Sequence, residues 1–162
     1  MANTEVTADL FRNAWSNFAT GVTVISTQED DGRVHGMTAN SVTSVSLEPP
    51  LALITIAHER NSYPLVKRNG RFGISVLNAR QQGIARHYTV PAEIRETLTA
   101  PEFEALGESM VVTDSLAAMD CRVVDSVEAG DHTIFIAKLE AIRINEGDPL
   151  LYFRSRFALI AD

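Results

Sequence analysis

Two stretches of this chain carry side chains whose types and spacing suit ligand chemistry. The first runs Gly36-Met37-Thr38-Ala39-Asn40-Ser41-Val42-Thr43-Ser44-Val45-Ser46-Leu47-Glu48-Pro49-Pro50 and sets small hydroxyls and an amide on a β-prone backbone. Thr and Val favour extended chain, yet Thr38, Asn40, Ser41, Thr43, Ser44 and Ser46 leave neither face of a strand purely apolar. Short donors and acceptors of this kind, with backbone N–H groups at a strand end, can hold an elongated polar ligand, including a phosphate, without Lys or Arg. The same composition also describes a solvated edge strand. The second stretch, Gly130-Asp131-His132-Thr133, stands just ahead of Ile134-Phe135-Ile136. A glycine turn there can direct a carboxylate, an imidazole and a hydroxyl into a cleft; read by itself it is equally a hairpin turn with Asp131 capping its own backbone and His132 in solvent.

Other chemistries lack their signatures. There is no Gly-x-Gly pair, hence no Rossmann fingerprint and no Walker loop. The four histidines, at 35, 58, 87 and 132, show no metal-ligand spacing, and no Gly-x-Ser-x-Gly elbow marks a nucleophilic serine. The one cysteine, Cys121, excludes an internal disulfide. Its strand-like setting, Met119-Asp120-Cys121-Arg122-Val123-Val124, reads as that of a buried, inert thiol.

The elements that must position these groups are those of one domain spanning 1–162. The composition, 45% hydrophobic and 22% charged, matches a globular average and gives a chain able to bury a core. A formal charge of −7 argues against a nucleic-acid surface, and the basic run Lys67-Arg68-Asn69-Gly70-Arg71 reads as a loop. Met1 to Asp9 has no basic signal region, and no apolar run approaches the roughly 18 residues that span a membrane. The expectation is a cytoplasmic protein without a membrane or nucleic-acid partner.

Thr7 can cap a helix whose Leu10, Phe11, Ala14, Trp15 and Phe18 form one apolar stripe, read as a buried face. Val22–Thr27 then reads as a strand, in a hairpin with the polar strand at 34–47 across the Asp30-Asp31-Gly32 turn. Leu51–Ala57 is a continuous apolar run suited to a strand buried on both sides. A short helix over 63–69, a strand at 72–77, a helix at 79–88 and an irregular excursion or lid at 89–110 follow. Three strands at 116–127, 132–145 and 150–160 close the chain. Short strands in succession point to a closed or split antiparallel barrel rather than a βαβ sheet.

Five segments, in order, resemble the short-chain flavin reductases, the reductase components of two-component flavin-dependent monooxygenases. They are Phe18-Ala19-Thr20-Gly21-Val22-Thr23-Val24, His35-Gly36-Met37-Thr38-Ala39-Asn40-Ser41, Ser44-Val45-Ser46-Leu47-Glu48-Pro49-Pro50, Gly130-Asp131-His132-Thr133 and Pro149-Leu150-Leu151-Tyr152-Phe153-Arg154. The match spans 18–157 and is poor only over 89–115. It implies a mainly β fold with flanking helices, an FMN-binding-like split β-barrel of Greek-key type, built as a homodimer with the isoalloxazine near the subunit interface. It also implies hydride transfer from NADH or NADPH to FAD or FMN, with reduced flavin passed to a partner monooxygenase.

Carried over by position, Met37, Thr38, Ala39, Asn40 and Ser41 would line the isoalloxazine and ribityl chain, and Ser44, Val45 and Ser46 would follow the flavin tail. Asn61 and Ser62 would contact the phosphate end. Gly130, Asp131 and Thr133 belong to the binding turn whose His132 would border the nicotinamide and stand nearest to a catalytic role. Tyr152, Phe153 and Arg154 would help close the pocket. The family's usual Arg-Gly-x-Tyr ending reads Arg154-Ser155-Arg156-Phe157, which lacks a glycine and a phenol hydroxyl. Two other readings stay open: a non-enzymatic flavin- or haem-binding barrel, and a dimeric interaction module.

Overall fold

A computed structural model of the chain describes residues 5–98 and 100–160. In chain order it contains α1 (Ala8–Ser16), β1 (Thr20–Gly21), β2 (Thr23–Gln28), β3 (Val34–Ala39), β4 (Val42–Leu47), β5 (Pro50–Ala57), α2 (Ser62–Asn69) and β6 (Arg71–Val76). A 3₁₀ turn (Ala79–Gln81) leads into α3 (Gln82–His87), and then come α4 (Ala92–Arg95), β7 (Phe103–Leu106) and β8 (Ser109–Val112). β9 (Ala117–Ala129), β10 (His132–Ile144), β11 (Leu151–Phe153) and β12 (Arg156–Ala158) complete it.

The main sheet has the order β3-β2-β6-β9-β10-β5-β4 and every pairing in it is antiparallel. Its two edge strands, β3 and β4, are joined by only Asn40 and Ser41. Two residues cannot cross a flat seven-stranded sheet, so the sheet curls until its edges lie side by side. The chain crosses through α2 from β5 to β6, and the long β9–β10 hairpin fills the space between them. That non-sequential order makes the split β-barrel of the sequence reading. The predicted single strand over 34–47 is therefore two strands on opposite edges, broken at its amide and hydroxyl pair.

One apolar cluster fills the barrel, with Ile25, Ile54, Ile56, Phe72, Ile74, Cys121 and Phe135 buried in it. A second, holding Val22, Val24, Leu77, Ala85, Val112 and Leu150, lies under α3, β8 and the β11–β12 hairpin. β2 contributes to both, so Val22–Thr27 is the strand covered on its two faces. The hydroxyls of Thr23, Ser26 and Thr27 survive burial by donating to the carbonyls of Ala39 (2.7 Å), Met110 (2.5 Å) and Arg71 (3.1 Å). β5, expected to be buried on both sides, alternates instead: Ala52, Ile54 and Ile56 point inward, and Leu53 and Thr55 stay half-buried on the outside. The segment 89–110 ends in the β7–β8 hairpin, whose last strand buries Val111 and Val112. Cys121 is fully buried, and burial pushes its thiol pKa up to about 12.

α1 departs furthest from expectation. Thr7 caps it as read, its Oγ1 accepting the Leu10 N–H at 3.2 Å, yet all nine of its residues stay exposed or half-buried. The stripe Leu10, Phe11, Trp15 and Phe18 is 41–63% exposed rather than part of the core.

An ion cluster built on the buried Asp120 ties β6 to β9 and β10. Asp120 accepts from Ser109 Oγ at 2.6 Å, from Arg71 Nη1 with both carboxylate oxygens at 2.7 and 2.8 Å, and from the Glu108 N–H at 3.1 Å. Arg71 Nη2 reaches Glu140 at 2.7 Å. Burial would raise the Asp120 pKa; the bonds from Ser109, the Glu108 N–H and Arg71 more than offset this and hold it below the ordinary 3.8. Asp120→Asn should lower unfolding stability by about 3 kcal/mol at neutral pH, because it breaks a buried pair. The gap should narrow as pH falls through the depressed folded-state pKa, below about pH 4; urea titrations of both proteins at pH 7 and pH 3 test this.

The β11–β12 hairpin turns on Arg154 and Ser155, with φ of 48° and 60°. A two-residue turn with positive φ at both positions matches the sheet twist, but an L side chain in this region costs about 1–2 kcal/mol. Ser155→Gly should accordingly stabilise the protein by about 1 kcal/mol, read as a higher denaturation midpoint; an unchanged midpoint would show that the turn carries no strain.

Candidate functional site

The Asn40-Ser41 joint and the β9–β10 turn meet on the outer side of the barrel wall. A cavity of about 580 Å³ there is lined by Asn40, Ser41, Val42 and Thr43 at the β3–β4 joint, by Leu53 and Thr55 of β5, and by His132 of β10. Thr20 and the α1 side of the molecule, with Phe11, Trp15 and Phe18, complete the lining. Register explains the convergence: His132 pairs with Ala57 and Ile134 with Thr55, while Thr43 faces Leu53 from the other edge of β5. Side chains of the outward set on three neighbouring strands thus share one surface.

Specific bonds orient Ser41, Asn40 and His132. Ser41 Oγ donates to the Thr55 carbonyl at 3.1 Å, and the Thr55 N–H returns a bond to the Ser41 carbonyl at 3.2 Å. Asn40 Nδ2 donates to Thr20 Oγ1 at 3.2 Å, which leaves the amide oxygen as its second polar atom. Gly130, at φ 65°, opens a two-residue turn that β-branched or bulky residues fill poorly. Asp131 Oδ1 lies 2.7 Å from His132 Nδ1. That hydrogen bond, foremost, holds the Asp131 carboxyl below its ordinary pKa, and it directs the other ring nitrogen, Nε2, away from the turn.

The remaining predicted residues fall in three groups. Thr38, Ala39, Asn40 and Tyr152 line a neighbouring hollow of about 190 Å³, with Asn40 common to both cavities. Thr38 Oγ1 is engaged, donating to the Ala85 carbonyl at 2.8 Å. Met37 packs against the barrel core instead. Gly36 beside it lets the Tyr88 ring lie on the β3 backbone, where a Cβ would overlap the ring. Ser44 and Val45 are exposed and Ser46 half-buried on the edge strand β4, outside the lining of either cavity.

Thr133, next in β10, turns to the opposite face, where it is buried and its hydroxyl lies 3.0 Å from His58 Nε2. The structure thus brings His132 but not Thr133 to the Asn40-Ser41 cavity. Asn61 lines a separate cavity of about 490 Å³ with His35, Arg95 and the acidic side chains of Glu29, Asp30 and Asp31. Ser62 is buried beside it, its Oγ 2.9 Å from His35 Nε2, while His35 Nδ1 lies 3.2 Å from Glu29 Oε1. Phe153 and Arg154 stack, with the guanidinium 5.0 Å from the ring centre, and Tyr152 meets Phe157 edge to face at 5.7 Å. The 89–110 excursion borders another hollow of about 840 Å³, with Leu98, Pro101 and Glu102 in its lining beside Arg80 and Asn145, so it does not lie over the His132 cavity.

Sequence reasoning missed Phe11, Trp15, Phe18, Thr20, Val42, Thr43, Leu53 and Thr55 as lining residues. The aromatic stripe was visible but read as core, and β5 showed no polar cluster to distinguish its outer face. The lining carries one titratable side chain, His132, among amides, hydroxyls and aromatic rings. Such a site accepts a planar, largely uncharged ring and grips its edge polar atoms; it holds no strong acid or base for hydrolytic work.

Comparison with known proteins bears on what that ring is. The flavin reductase like domain model matches residues 15–161. The NADH-dependent flavin reductase StyB of Pseudomonas fluorescens is 35% identical over 156 residues, 94% of this chain and 90% of that protein. Among solved structures, the flavin reductase PheA2 superposes with a TM-score of 0.90 at 39% identity, over 97% of this chain and all of that one. The styrene monooxygenase flavin reductase of Pseudomonas putida S12 does so at 0.84 and 34% identity, covering 93% and 97%. A family match over nearly the whole chain, on the barrel and joint described above, makes this protein a member of the flavin reductase like domain family.

Proposed function

We propose that this protein is an NADH-dependent flavin reductase, oxidising a reduced nicotinamide and reducing FAD or FMN. The observation that carries the reading is that His132 shares one cavity of about 580 Å³ with Asn40 and Ser41. When both are bound, the two cofactors supply the redox chemistry themselves, a hydride passing from nicotinamide to flavin with a proton from solvent.

The chain's residues then bind and orient. Asn40 and Ser41 offer an amide and a hydroxyl at the joint, suited to the polar edge of a flavin ring on which negative charge grows during reduction. His132, fixed through Nδ1 by Asp131, presents Nε2 to a carboxamide-bearing ring and so positions the nicotinamide without having to transfer a proton. Thr38, Ala39 and Tyr152 extend the polar and aromatic lining into the adjoining hollow. Asn61, carried over for the phosphate-bearing end of the flavin, lines a cavity with Arg95 and His35 in which the carboxylates of Glu29, Asp30 and Asp31 work against an anion.

Reduced flavin released from an open site serves a separate monooxygenase, as the named role of the Pseudomonas putida relative suggests. The half-buried outer faces of β5 and β10 favour a homodimer. Among the described residues no helix is long and apolar enough to cross a membrane, in keeping with work in the cytoplasm beside such a partner.

NADH and NADPH oxidation by the purified protein, with and without added FAD or FMN, tests the assignment. Oxidation should depend on added flavin; a retained yellow chromophore without turnover would assign a flavin-binding role instead. His132→Ala should raise the NADH KM up to about tenfold, as expected for loss of one hydrogen bond. The flavin KM should change little, and a change confined to flavin would move His132 to that ring. Asp131→Asn retains an acceptor for Nδ1 and should disturb the NADH KM less than Asp131→Leu.

A further inference from the structure

Phe11, Trp15 and Phe18 form a continuous aromatic edge, with centroid separations of 6.2 Å and 5.9 Å. They are 56, 59 and 63% exposed, and all three line the cavity that also holds Asn40, Ser41 and His132. Short helices in water are stabilised mainly by burying an apolar face, which α1 does not do. It is anchored at its C-terminal end by one residue: the Arg154 N–H donates to the Ser16 carbonyl at 2.8 Å, and Arg154 Nε to Asn17 Oδ1 at 2.9 Å. Arg154 is itself set by the left-handed β11–β12 turn and by its stack on Phe153.

We propose that α1 is the aromatic wall of the ring site: Trp15, flanked by Phe11, stacks on the isoalloxazine, and Arg154 is the positioning residue that holds the helix there. The proposal rests on the flavin reductase reading above and deepens it. A ring is the occupant favoured over a neighbouring protein surface, because the aromatic edge faces amide, hydroxyl and imidazole groups across one cavity of about 580 Å³, within the range of small-molecule pockets. Flat apolar contact on one side and polar contact along the rim is what a fused heteroaromatic ring offers. Residues that look like core are then left bare until the ligand covers them.

Trp15 is the chain's single tryptophan, which gives a direct readout. An indole stacked on a flavin quenches its emission by electron donation, and a phenyl ring does so far less. Trp15→Phe should therefore raise the emission of bound FMN or FAD severalfold. Trp15→Ala should raise the flavin KM roughly tenfold, the upper end for an aromatic pair, and Arg154→Ala should raise it severalfold through loss of the helix anchor. Sedimentation velocity on the same samples reports the mass of the assembly.

An unchanged flavin KM in Trp15→Ala, or unchanged bound-flavin emission in Trp15→Phe, overturns the proposal. So does a loss of activity that follows a loss of assembly mass, which would assign α1 to contact between copies. Absence of flavin-dependent NADH oxidation in the unaltered protein defeats the function reading itself, and is recognised before any variant is made. Should Trp15→Ala fail to fold, the emission of Trp15→Phe decides.

Discussion

A seven-stranded antiparallel sheet whose first and last strands are consecutive in sequence has to change edges within two residues, and that constraint organises this molecule. Asn40 and Ser41 make the change. At such a corner the ladder on one side ends before the ladder on the other begins, so backbone groups need other partners. The Ser41 carbonyl finds the Thr55 N–H, the Ser41 hydroxyl finds the Thr55 carbonyl, and Asn40 reaches Thr20. Polar side chains are therefore concentrated at the joint for structural reasons, and the same groups are then on hand for a ligand. The β9–β10 hairpin has to lie beside β5 to complete the wall, which brings His132 to the same place.

Closure at the joint also distributes burial unevenly. β2 carries cover on both sides because α3, β8 and the terminal hairpin pack over one face and the barrel interior fills the other. β5 and β10 are covered on the inside only. The molecule consequently has a thick side, stabilised by two apolar clusters and by the Asp120–Arg71–Glu140 group, and a thin side that holds the cavity. Ligand sites favour the less protected part of a fold, where opening costs least.

Most element positions were legible because their signals are local. The Thr7 cap, the Asp30-Asp31-Gly32 turn and the Gly130-Asp131 turn appear where composition places them. What was illegible depends on tertiary cover. Leu51–Ala57 looks more buried than Val22–Thr27, because hydroxyls in a strand resemble a wet face until their carbonyl partners are known. The 34–47 run gave no hint of its break, since Asn and Ser are tolerated in strand and corner alike. For the site, the structure brings Asn40, Ser41 and His132 of the ordered motifs into one cavity. Alternation separates Thr133 from His132, and the fold gives Asn61 a cavity distinct from theirs. α1 is the instructive case: hydrophobic periodicity reports that a face will be covered, but not by what.

The setting of Cys121 has a chemical consequence for a flavin reductase. Reduced flavin that escapes its acceptor reacts with dioxygen and releases hydrogen peroxide, so such a protein works beside an oxidant of its own making. Peroxide attacks the thiolate, and does so only where it can reach it. Cys121 is sealed inside the barrel and its thiol stays protonated at any physiological pH, with a pKa pushed up to about 12. The chain's single sulfhydryl is thereby removed from the ladder of sulfenic, sulfinic and sulfonic products, and the barrel interior doubles as protection against the by-product of the turnover we propose.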